Sequence, residues 1–129
     1  MRWFILWVVV VLQAAPALAE GAFRTDAKRV CTLEQPTDFE ERAKCVAAYE
    51  KILAWAEALG FTGTDHKLDL QLIDQKSAAR EPHAIILSHC LENGKDFPDR
   101  WNMTEYCVGQ QVLAYQKIYG VLQGPQWQQ

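Results

Sequence analysis

Placing Cys45 over Cys107 lays PTDFEERAKCV, Pro36 to Val46, on PDRWNMTEYCV, Pro98 to Val108, and this match constrains the fold more than any other feature of the 129 residues. Proline, an aromatic residue three positions later, cysteine six after that and valine next all coincide. A short upstream segment carrying another cysteine precedes each copy. The shared chemistry is a helix start followed, roughly one and a half turns on, by a cysteine facing the preceding helix. This implies two copies of one unit, a short helix stapled to a long one. Four cysteines allow three pairings, and only Cys31–Cys45 with Cys90–Cys107 treats the two units alike. Loops of that size each stabilise a small domain by about 3 kcal/mol on the chain-entropy argument.

The compartment suits disulfides. MRWFILWVVVVLQAAPALA has a positive residue at its start (Arg2), an apolar run from Trp3 to Leu12 and Ala17-Leu18-Ala19 ahead of Glu20. Such a run is too short for a spanning helix, which needs about 20 residues, and Ala-x-Ala is a signal-peptidase site. Residues 1–19 therefore read as a cleaved signal peptide, 20–123 as a helical domain and 124–129 as a flexible tail. The expected location is the bacterial periplasm or the exterior, with no stable membrane insertion after cleavage. An even set of cysteines in an oxidising compartment defaults to disulfides. Zinc is the competing reading, but positions 31, 45, 90 and 107 include no Cys-x-x-Cys and no cysteine–histidine pair at ligand spacing. The net charge of −3 and the lack of any basic run argue against a nucleic-acid partner.

Read in order, Glu20 to Arg24 is a loose leader and Asp26 to Glu34 a short helix capped by Thr25. Thr37-x-x-Glu40 is a capping box opening a helix to about Leu59, with Gly60 as the left-handed residue past its end and Phe61 folding back. Cys45, Tyr49, Ile52, Ala56 and Leu59 lie along one side of that helix, and Phe39, Ala43, Val46 and Leu53 along the neighbouring side, a wide apolar face. Thr64 or Asp65 can cap the next segment. The stretch 66–74 fits a strand through Leu68, Leu70 and Leu72 and a helix through Leu68, Leu72 and Ile73; helix is preferred, because a lone strand has nothing to pair with. Pro82 begins a helix to about Asn93, ended by Gly94. A last helix runs from Pro98 or Asp99 to about Leu122, with Trp101, Val108, Val112, Tyr115, Tyr119 and Leu122 on one stripe. The expected fold is all-α, a small bundle of about five helices containing two disulfide-stapled helix pairs.

Cys90, Phe97-Pro98-Asp99, Trp101, Met103, Tyr106-Cys107 and Gln110-Gln111, with Ala114 beyond, resemble a pattern recurring in small bacterial proteins of helical character that carry no established activity. The likeness covers Ile85 to Leu122. It implies a bacterial, helical protein and says nothing about catalysis.

Candidate chemistry is sparse. His66, His83 and His89 are not spaced as ligands, and Glu34, Asp38, Glu40 and Glu41 cluster where a helix N-terminus favours negative charge. The sequence holds no nucleophile elbow, phosphate loop, dinucleotide fingerprint or haem-attachment motif, so no catalytic, cofactor or metal residue is assigned. One feature asks for a partner. From Val108 to the end Lys117 is the only charged side chain, and glutamines supply the polarity. Either this helix is central and nearly surrounded, or a face marked by Gln111, Gln116 and Trp127 docks on another protein or another copy. The preferred function is a non-catalytic exported module that binds or inhibits another envelope or secreted protein. The alternative is a small exported enzyme drawing on scattered residues such as His66, His89, Asp99 and Glu105.

Overall fold

A computed structural model describes residues 15–128. They form five helices, α1 (Ala15–Glu34), α2 (Phe39–Ala58), α3 (Leu70–Ala78), α4 (Pro82–Gly94) and α5 (Arg100–Tyr119), and no strand. The fold is all-α, with Cys31 joined to Cys45 and Cys90 to Cys107 at Cα separations of 5.7 and 5.5 Å. Each bridge ties one helix to the next, α1 to α2 and α4 to α5. The core is continuous, from Phe23 and Ala27 through Ile52, Leu53 and Ala56 to Leu87, Val108 and Val112.

Helix ends follow local chemistry. The N–H of Glu41 donates to Asp38 Oδ1 at 3.1 Å, so Asp38, not Thr37, caps α2, and the Glu41 carboxylate pairs with Lys44 rather than closing the expected capping box. At the other end Gly60 takes a φ of 78°, its N–H donates to Glu57 O, and the Phe61 N–H reaches Ala56 O at 2.8 Å. That pair of bonds is the Schellman arrangement, and it turns Phe61 into the core. The ambiguous 66–74 segment resolves into both of its readings. Leu68 forms an isolated antiparallel bridge with Thr62, and helix begins only at Leu70, capped by Asp69 rather than Thr64 or Asp65. Glu81 caps α4 through the N–H groups of His83 and Ala84, with Pro82 in the first turn.

Three expectations are corrected. Glu20 to Arg24 is helical, because α1 starts at Ala15. Ala15, Ala17, Leu18, Ala19 and Ala22 are strong helix formers, and Pro16 stands in the first turn, where its missing N–H costs nothing. The expected cleavage point after Ala19 falls within this helix, while residues 1–14 of the leader lie outside the described residues. Helix α5 ends at Tyr119, ahead of Gly120 at φ 84°, not at Leu122. The segment expected to be a flexible tail instead folds back. Trp127 is buried against the Trp55 ring, with centroids 5.3 Å apart, and the Trp55 Nε1–H donates to Pro125 O at 2.9 Å.

In space the helices pack in the order α1, α2, α5, α4, α3. Helices α2 and α5, one from each stapled unit, form the middle of the array; α1 has 20 residues, as they do, so the first unit is not the expected short helix stapled to a long one. Tyr49 of α2 and Trp101 of α5 meet edge to face at 4.6 Å across that central contact. The repeat is therefore one of staple and helix start, not of surroundings. Phe39, which aligns with the buried Trp101, is 78% exposed.

Candidate functional site

Helix α5 contributes Trp101, Thr104, Val108, Gly109 and Val112 to the core, all on the side that meets α2 and α4. With only those two helices packed on it, α5 is not surrounded. Its outward side carries Tyr106, Gln110, Leu113, Ala114, Lys117 and Ile118, all exposed. Tyr106 is 66% and Ile118 71% exposed, and Tyr119 and Val121 extend the apolar surface beyond the last turn. The positions 106, 110, 113 and 117 recur at helical spacing. Lys117 is the one charge among them. A solvated helix face ordinarily carries several charged groups, so this one is unusual for a surface that meets only water.

The three residues marked as a partner face fare differently. Gln111 and Gln116 are half-buried positions at the two borders of the exposed face, Gln111 beside Ile118 and Gln116 on the Leu113 side. Trp127 is buried against this same chain and belongs to the core. Leu113 and Ile118, about 140° apart round the helix on either side of Gln110 and Ala114, are the large apolar residues of the exposed face, and the apolar stripe of the sequence includes neither. Tyr119 was expected inward, yet it is 72% exposed because Gly120 ends the helix and sends the chain, not the ring, back over the core.

Two grooves flank the middle of the array. The larger, about 850 Å³, runs along α2 between Phe23, Arg24 and Lys28 of α1 and the tail, from Phe39 past Ala47 to Ala58 and Trp127. The smaller, about 420 Å³, lies where Asp26 and Arg29 of α1 face α3, α4 and Trp101. In its wall the Tyr49 hydroxyl donates to Asp26 Oδ2 at 2.6 Å, and Arg29 reaches Asp26 Oδ1 at 2.7 Å. Burial pushes the Asp26 carboxyl up, but the Tyr49 hydroxyl and Arg29 outweigh it and hold the group below its ordinary range. Burial, then the bond to Asp26, pushes the Tyr49 phenol well above its ordinary range. These groups lock one another in place, and no unpaired acid or base results from them.

The histidines are occupied elsewhere. His66 Nδ1 stands 3.3 Å from Glu57, His89 Nε2 is 3.1 Å from the Asn93 amide, and His83 Nδ1 is 2.6 Å from Glu81. Burial pushes the Glu81 carboxyl up, yet the His83 ring and the helix-start N–H groups outweigh it and lower the group. None of the three histidines lines either groove. The scattered set His66, His89, Asp99 and Glu105 is not brought together, since Glu105 pairs with Lys51 of α2 at 3.6 Å and Asp99 starts α5 without a side-chain cap bond. Among the described residues no group of three or more histidine, cysteine or acidic side chains could hold a metal ion, and no helix is long and apolar enough to cross a membrane. No protein-family model, curated relative or solved structure matches the chain.

Proposed function

We propose that this chain is an exported, non-catalytic module of a bacterial envelope or secretome that binds another protein through the outward face of α5. The observation that carries the reading is that face itself, with Tyr106, Leu113 and Ile118 open to solvent and Lys117 as its only charge. Apolar surface beside neutral amide groups is the composition of an interface core, where charge is depleted and tyrosine enriched. The leader, the two bridges and the lack of a spanning helix among the described residues support an oxidising setting outside the cytoplasm. An enzyme would require a concave site joining a base to an acid, and the histidines lie outside both grooves.

The test is the pair Leu113→Glu and Ile118→Glu. Both residues are exposed, so thermal unfolding should shift little, as for surface substitutions of about 0.5 kcal/mol or less. Crosslinking in the cell, read by mass spectrometry, should recover a partner with the parent chain and lose it with the double variant. Light scattering over a range of concentrations identifies the case in which the partner is a second copy. An unaltered crosslinked species, or a double variant that unfolds, removes the docking face.

A further inference from the structure

The wide apolar face of α2 is only half used. Cys45, Tyr49, Ile52, Leu53 and Ala56 are buried, while Phe39, Ala43, Ala47, Ala54 and Ala58 form the open floor of the larger groove. That floor follows the helix for its full 20 residues, roughly 30 Å. Alanine side chains let a second helix backbone come close, near the 8 Å end of ordinary interaxial distances, whereas larger residues hold helices at about 10 Å. Phe23 and Trp127 wall the groove on its two sides. The length and the smooth floor suit a helix of about five turns.

The rim says what kind of helix. Arg24, Lys28, Arg42 and Lys51 line the groove with Glu50 as the only acid, in a chain whose acids outnumber its cations by 16 to 13. Arg24 is neutralised by Glu50 at 3.1 Å, and Lys51 lies 3.6 Å from Glu105 and over the Trp127 ring. Arg42 is different. Its guanidinium donates to the carbonyls of Gln35 and Pro36 and stacks on Phe39, so it is held in place without losing its charge to a carboxylate. Lys28 has no carboxylate within ion-pair distance among the described residues. Two uncompensated cations thus stand at an apolar trough, and their complement is an apolar helix face bordered by acids. We infer that the α1–α2 groove is a second binding site, separate from the α5 face, for an acidic amphipathic helix of another protein.

The probe is a synthetic helical peptide of about 18 residues, leucine and alanine on one face and glutamate on the other, labelled for fluorescence anisotropy with the oxidised full chain. Two controls use lysine in place of glutamate and the same composition in scrambled order. The acidic amphipathic peptide should bind at least about tenfold more tightly than either control, and added salt should weaken it. Ala47→Glu, which places bulk and like charge on the floor, should abolish binding; Lys28→Glu should weaken it by about fivefold with the melting temperature unchanged, because that side chain is exposed and in no ion pair. The double variant on α5, Leu113→Glu with Ile118→Glu, should bind the peptide normally. No binding, equal binding of the three peptides, loss on the α5 variant alone, or stronger competition by an anionic fatty acid than by unlabelled peptide would each overturn the proposal.

Discussion

Tyr49 shows how one residue joins packing to charge. Its ring meets Trp101 across the central helix pair, and its hydroxyl reaches Asp26 of α1 at 2.6 Å, so three helices are registered by a single side chain. Tyr49→Phe keeps the ring and removes the bond, and should lower stability by about 1 kcal/mol. Its pH signature is more specific. Because folding holds the phenol's proton more tightly, the contribution is complete below about pH 10 and is lost as pH rises through the raised folded value. Asp26 runs the other way, contributing above about pH 4 and losing that contribution on acidification through its lowered folded value. Urea midpoints from pH 3 to 11 should therefore fall less steeply at both ends in Tyr49→Phe than in the parent; parallel curves would show that the bond is not formed in solution. A second residue is strained in the fold. Arg80 takes a φ of 65° while its N–H and that of Glu81 close a Schellman turn on α3, a place where glycine has no steric cost. Arg80→Gly should raise the melting temperature, by an amount equivalent to about 0.5–1 kcal/mol, and an unchanged or lower value would mean that the Arg80 side chain contributes more than its backbone strain removes.

At the scale of elements, α4 ends close against α5. A methyl group on Gly94 would lie 2.4 Å from Thr104 Oγ1 and 2.9 Å from Arg100 O, and the second of these is backbone that cannot swing away. Gly94→Ala should thus cost about 1–3 kcal/mol despite alanine's better helix propensity. Adding Thr104→Ala should leave most of that loss in place, since the Arg100 carbonyl remains; full rescue would locate the clash in the hydroxyl alone. Gly94 was legible as the end of α4, as were the Pro82 start, the Gly60 turn and the pairing of the cysteines, because each rests on chemistry within a few residues or on the internal match. What depends on neighbours was not. Phe39 and Trp101 occupy equivalent positions, yet only Trp101 is buried by another helix; α2 and α5 each pack on two helices, but the side of α2 that carries Phe39 is open and the ring meets Arg42 of its own helix. The same lack of a covering helix leaves Leu113 and Ile118 exposed, while Gln111 and Gln116 stand only at the borders of the α5 face. Periodicity shows that a stripe exists and which residues share it, while the side that is covered depends on where the other helices fall.

For the whole molecule, the spatial order α1, α2, α5, α4, α3 puts both staples toward the outside and leaves the α2–α5 contact, which no covalent bond crosses, to hold the two halves together. Breaking one staple should then weaken its own half first. Cys107→Ser should cost about 2–5 kcal/mol, and non-reducing digestion of the parent chain should yield Cys31 linked to Cys45 and Cys90 to Cys107. The halves have a further tie in the C-terminal segment. After Gly120 the chain turns back, buries Leu122, passes Gly124 against the His83 ring of α4 and seats Trp127 on Trp55 of α2, where Lys51 lies over the indole at 4.5 Å. This strap links α5, α4 and α2 although it contains no helix. Its removal exposes a defined atom. The Trp55 Nε1–H donates to Pro125 O, and with the strap undocked that indole would meet the open groove. Trp127→Ala should therefore speed hydrogen exchange at the Trp55 indole far more than at amides in the middle of α5, and lower global stability by only about 1–3 kcal/mol, because a chain segment near its end can open locally while the core stays folded. Nuclear magnetic resonance of the indole protons separates the outcomes. Unchanged protection at Trp55 would mean that Pro125 stays docked without Trp127, whereas uniform acceleration through α5 would make the strap part of one cooperative unit with the α2–α5 contact.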